Sequence, residues 1–264
     1  MEMTTLARVH GAPAFKAPTA ALMRHALSAG WRDFLAAPTF GLMMGAVCVA
    51  AGWALAGLTM WSGHTFWLVL AVFGFPLVAP FAAIGTYEVS RRRAHGAAGD
   101  LRSIVHVLWA ERARQLPWLS ALMVFVLLFW FFLGHMIFAL FLGLKPMTNI
   151  MTSTDVFLSA DGLLMMLIGS VVGGGFALLI YAVCVVGVPM LLEREVDYVT
   201  ALLRSIGLVA AHPKVMLGWA LVIAALLFLG MVPGFLGLLF ILPWLGHASW
   251  HVYDGLVVRE GPAD

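Results

Sequence analysis

The sequence predicts an all-α fold: a polytopic membrane protein with six transmembrane helices arranged as three helical hairpins, joined by short amphipathic inner segments. Three observations predict it. The chain of 264 residues is 62% hydrophobic and only 11% charged, which excludes an ordinary soluble domain. Four long stretches, 39–87, 115–144, 162–192 and 215–253, contain no Asp, Glu, Lys or Arg. Hydrocarbon charges about 3 kcal/mol for each ionised side chain at its centre, so such stretches are the sequence form of membrane spans. Finally, 14 of the 15 Lys and Arg residues fall in segments that can share one face of a bilayer, leaving Lys145 for the other.

The elements follow in order. A span needs about 20 apolar residues at 1.5 Å each. The stretch 39–87 is too long for one, and Trp61-Ser62-Gly63-His64 divides it into spans near 39–58 and 66–87. Single spans near 118–142 and 163–189 fill the middle, and Pro233-Gly234, a turn dipeptide, divides 215–253 into two short spans. Six is even, so both termini belong on one side, and basic loops place that side in the cytoplasm. Trp61 and Trp67 fall where an aromatic belt belongs. The segments 22–36, 100–115 and 198–211 are amphipathic and suit the interface or the underside of the bundle. Residues 1–20 mix charges, prolines and alanines without an apolar block. They are expected to be disordered, with no cleaved signal peptide. The membrane domain then covers 21–256 and a tail 257–264.

A weaker pattern divides the domain into repeats at 22–95, 100–197 and 198–254. Each unit has an amphipathic stretch, a Pro, a span, an outer turn and a second, proline-containing span. Glu88, Asp197 and His251 each stand eight residues beyond Pro80, Pro189 and Pro243. Repeats in membrane folds often share a site between units. Gly169, Gly173, Gly174 and Gly175, with Gly41 and Gly45, supply the small residues that allow close helix approach inside the bundle or against a second copy.

The candidate chemistry lies at the inner end. His247 and His251 are four apart and share a helical face. With Glu88 and Asp197 at matching exits, they compose a candidate inner polar cluster. Two His and a carboxylate suit a transition metal, a proton relay or a lipid headgroup. The structural alternative is a set of inner-rim groups hydrogen-bonded to loops and to Arg91, Arg92 and Arg93. Those three arginines are chiefly a topology signal, with contact to anionic lipid or a partner as a further role. His135 is the ionisable group deepest inside a span. Cys48 and Cys184 read as buried thiols. No nucleotide, hydrolase, zinc-protease or dithiol motif is found, so no catalytic residue, metal or cofactor is assigned. No basic run with interleaved aromatics points to nucleic acid.

Gly30-Trp31-Arg32-Asp33, the entrance at Pro38, Pro80 through Tyr87-Glu88-Val89-Ser90-Arg91-Arg92, Val188-Pro189-Met190-Leu191-Leu192 before Asp197, and Leu242-Pro243 through Gly246-His247-Ala248-Ser249-Trp250-His251 carry a resemblance. Over roughly 25–256 the chain resembles a family of bacterial integral membrane proteins catalogued as domain of unknown function 2189. The resemblance implies six spans and the bacterial inner membrane, and brings no established activity with it. Slim loops, small-residue faces and the lack of a catalytic set point to a non-enzymatic accessory or assembly partner of a membrane complex, a respiratory one included. The alternatives are a small-solute carrier or channel and a haem- or metal-binding membrane protein. The expected partners are the lipid bilayer, subunits of such a complex and, less directly, a second copy.

Overall fold

In a computed structural model of the chain, the structure describes residues 8–62, 84–97, 100–111, 113–143 and 157–259. The helices are α1 (Ala20–Ala36), α2 (Pro38–Ser62), α3 (Ile84–Ala94), α4 (Leu101–Glu111), α5 (Leu116–Leu142), α6 (Ala160–Cys184), α7 (Gly187–Glu193), α8 (Tyr198–Ala211), α9 (Pro213–Met231) and α10 (Leu238–Leu256). Two short strands, β1 (Val9–His10) and β2 (Arg194–Glu195), pair in parallel.

Local chemistry sets the boundaries. The Thr19 side chain caps α1 by accepting from the Leu22 amide at 3.1 Å, and Ser159 caps α6 through the Gly162 amide at 3.1 Å. Prolines open α2, α5 and α9, where a missing N–H has no helical partner to lose. Among the described residues, Pro38–Ser62, Pro117–Leu142, Ala160–Glu193 and Pro213–Met231 are long and apolar enough to cross a membrane. The expected spans one, three, four and five coincide with them. The expected second span, together with Pro80, Trp67 and His64, falls mostly outside the described residues. The expected sixth span falls on α10, which is not among these four helices because its second half is polar.

α5 and α6 run antiparallel, with Gly173 against Trp130 and Cys184 Sγ 3.9 Å from Met123 Sδ. α9 and α10 form a second antiparallel pair, turning through residues 232–237, where Gly230 meets Gly237. α10 is the central element. α1 packs along its inner half and α2 along its outer half, because glycines remove the side chains that would keep the helices apart. A Cβ on Gly30 would stand 2.4 Å from the Ala248 nitrogen, and one on Gly45 2.9 Å from the Leu239 backbone. Gly41 likewise receives Pro243, whose ring interrupts the α10 hydrogen-bond ladder. Trp250, Val252, Tyr253 and Leu256 are fully buried at the inner end of α10.

Two sequence expectations change here. Residues 8–19 are not a disordered arm. Lys16 donates its backbone N–H to Leu256 at 2.7 Å, Val258 donates to Ala14 at 2.9 Å, and β1 joins β2. The arm satisfies backbone groups that composition alone left without partners. The glycines of α6 also do not form one packing stripe. Gly173 meets Trp130, whereas a Cβ at Gly169, Gly174 or Gly175 would meet open space.

Candidate functional site

The inner ends of α1, α3 and α10 converge on Asp33. Its amphipathic helix α1 turns this carboxylate inward, while Pro38 ends the helix one turn later. From α3, Ser90 Oγ donates to Asp33 Oδ2 at 2.7 Å and Arg93 Nε donates to Oδ1 at 2.9 Å. From α10, His251 Nε2 lies 2.8 Å from Oδ2, and His247 Nδ1 lies 2.7 Å from Ser90 Oγ.

Valence fixes the protons in this chain. An ionised carboxylate only accepts, so His251 Nε2 donates to it. Ser90 gives its single hydrogen to Asp33 and must therefore accept from His247 Nδ1–H. The neutral His247 ring then turns an acceptor, Nε2, into the protein, and that buried atom has no hydrogen-bond partner among the described residues. Burial alone raises the Asp33 carboxyl, and the hydrogen bonds from His251, Ser90 and Arg93 outweigh it. The carboxyl is held well below the usual carboxylate range.

Glu88 lies on the opposite face of α3, since Ser90 and Arg93 are half a turn round from it. Arg92 Nε donates to Glu88 Oε1 at 2.7 Å, and Arg91 Nη1 lies 3.5 Å from Oε2. Arg91 also donates to the Leu192 carbonyl at the end of α7, at 2.5 Å. A third contact ties the same corner, with Tyr253 Oη donating to Glu193 Oε2 at 2.7 Å.

The structure thus brings His247 and His251 together, but through Asp33 and Ser90, and sets Glu88 in a separate ion pair. Asp197 stands apart from all of them. It is exposed and caps α8, accepting from the Thr200 amide at 2.9 Å and its hydroxyl at 2.6 Å. These bonds lower its carboxyl below the ordinary range. The equal spacing from Pro80, Pro189 and Pro243 therefore does not correspond to equal positions. Arg91 and Arg92 are buried at 3% and 4% exposure, which removes them from contact with lipid headgroups; only Arg93 keeps an exposed edge. His135 bonds back to the Phe131 carbonyl of its own helix at 2.8 Å. Among the described residues, no three His, Cys, Asp or Glu side chains converge as a metal site would require.

Asp33 and Ser90 were not singled out from the sequence. The signal available was a lone acid on the apolar-periodic segment 22–36, where a carboxylate needs a partner from elsewhere. The arrangement can do two things chemically. It holds three helices in register at one end, and its continuous chain from His247 to His251 can pass a proton between a buried ring and a partly exposed one.

Long apolar helices, with the buried ion pairs of the described residues gathered at the basic end, define a multi-pass integral membrane protein. Residues 68–193, just under half of the chain, match the family whose model is described as predicted integral membrane protein (DUF2189). The family resemblance holds over that segment, which contains the Pro80–Arg92 and Val188–Leu192 motifs and ends before Asp197. No curated protein and no solved structure matches the chain.

Proposed function

We propose that this protein is a non-enzymatic accessory or assembly partner of a membrane complex, a respiratory one included. The observation that carries this reading is the engagement of the charged groups at the basic end. Asp33 uses both carboxylate oxygens on three partners, and Glu88 sits between Arg91 and Arg92. Carboxylates so engaged fix helix positions; a catalytic carboxylate needs a lone pair or proton directed at a substrate.

The reading includes a six-span topology with both termini cytoplasmic. The direction of α2 supports it: Phe40 packs by α3 at the basic end, while Trp53 Nε1 reaches the Gly234 carbonyl, 2.9 Å away, in the opposite turn. The test is quantitative mass spectrometry of the proteins that co-purify from the native membrane in mild detergent. Stoichiometric recovery of subunits of a membrane complex is expected. Recovery of the chain alone, from membranes that contain those complexes intact, removes the accessory role.

A further inference from the structure

α6 and α9 leave a cavity of about 470 Å³ between them, backed by α10 and by Tyr87 of α3. On α6 its lining runs from Ser170 to Cys184, about 21 Å at 1.5 Å per residue, so the space is long and follows the helix axis. Its floor is apolar and buried: Ile180, Leu227, Leu242 and Leu245 are each under a tenth exposed. Its mouth, between Leu178 and Leu221, is exposed at 41% and 71%. Among the described residues, the mouth opens along apolar helix faces. Glycine and alanine make the room, for Gly174, Ala177, Ala220 and Ala224 all line the space, and a Cβ at Gly174 would meet nothing.

The polarity changes with depth. Toward the outer end the lining is hydrocarbon, apart from Ser170. At the inner end Tyr181 Oη donates to the Met216 carbonyl at 2.6 Å and bridges α6 to α9. Ser249, hydrogen-bonded with Tyr87, stands at the same depth. Lys214 follows one helical turn further in from the lining residue Leu217, on the same face of α9. It is exposed and makes no ion pair among the described residues. An apolar channel, then hydroxyls, then an unneutralised ammonium is the order of an acyl chain, its ester region and an anionic headgroup.

We propose that this groove is a binding site for one anionic phospholipid of the inner leaflet, with an acyl chain between α6 and α9 and the headgroup phosphate on Lys214. A basic residue near the leaflet surface attracts anionic lipid, and the groove adds a fixed place for the chain. The proposal takes its leaflet from the topology proposed above and does not depend on the accessory role.

Native mass spectrometry of the whole protein, released from vesicles of equal phosphatidylglycerol and phosphatidylcholine, tests it. One retained phosphatidylglycerol per chain is expected. Ala177→Phe and, independently, Ala224→Phe fill the groove and should each reduce retention at least tenfold in folded protein. Lys214→Gln should leave the groove occupied but remove the preference for phosphatidylglycerol. Wild-type protein without bound lipid overturns the proposal without any variant. So does retention unchanged in a folded groove-filling variant, or a headgroup preference that survives Lys214→Gln.

Discussion

Asp33 is where one atom group decides the most. Three hydrogen bonds, each with a charged partner or in a charged chain, meet on a carboxylate that is only partly shielded from solvent. Asp33→Asn keeps the shape and removes the charge. We expect it to lower stability by about 1–2 kcal/mol, the lower part of the range for ionic hydrogen bonds because solvent screens this site. Thermal unfolding in detergent measures it. The pH dependence follows in sign. A carboxyl held below its unfolded value, about 4, stabilises the fold fully above that value and loses this contribution as pH falls further. The gap in melting temperature between wild type and Asp33→Asn should therefore be full at pH 6 and close below about pH 4. A gap that does not close as pH falls below that value contradicts the ionised assignment. Glu88 is the harsher case, since its side chain is 1% exposed between two buried guanidinium groups. Glu88→Gln should cost about 3 kcal/mol, as breaking a buried pair does, and adding Arg92→Met should restore part of it. Folded yield and melting temperature of both variants provide the check. The Glu88–Arg92 spacing is readable in sequence as an i, i+4 pair. Asp33 is not, because its partners Ser90 and His251 lie 57 and 218 residues away.

At the scale of elements, the sequence makes span positions legible because hydrocarbon acts on each residue separately. A charge-free run and a leading proline need no partner to be recognised, and α2, α5 and α9 start where Pro38, Pro117 and Pro213 say. Packing faces are different, since they depend on what another element places opposite. The three consecutive glycines of α6 point three ways: Gly173 to Trp130, Gly174 into the groove, Gly175 outward. Gly30, in a helix that reads as interfacial, instead meets the α10 backbone directly. This yields a paired prediction. Gly175→Ala should raise stability by about 0.5–1 kcal/mol, because alanine favours a helix and nothing obstructs its methyl. Gly30→Ala should lower it by about 1–3 kcal/mol or prevent folding, since backbone rather than a flexible side-chain tip stands in the way. Melting temperatures of the two variants decide it; a rise for Gly30→Ala to match that of Gly175→Ala would mean that α1 does not pack on α10.

For the whole molecule, the two chain ends provide the sharpest consequence. Phe15 bridges to Val257, and Val258 donates to Ala14 at 2.9 Å, so the N-terminal arm and the end of α10 leave from the same end of the bundle. At the other end lie Trp61, at 86% exposure, and the turn containing Val232, at 79%. The charge asymmetry carries the same message in the sequence, where the arm itself was unreadable: two-residue strands and single bridges leave no periodicity to detect. If the basic end is cytoplasmic, one set of single-cysteine variants suffices. In a background with Cys48→Ala and Cys184→Ala, cysteines at His10 and Val258 should resist a membrane-impermeant maleimide in intact cells and react after the membrane is opened. Cysteines at Trp61 and Val232 should react in both conditions. The complete reverse would keep the fold and invert its insertion. Reaction of His10 and Val258 positions from opposite sides would break the arm–α10 pairing and, with it, the even number of crossings.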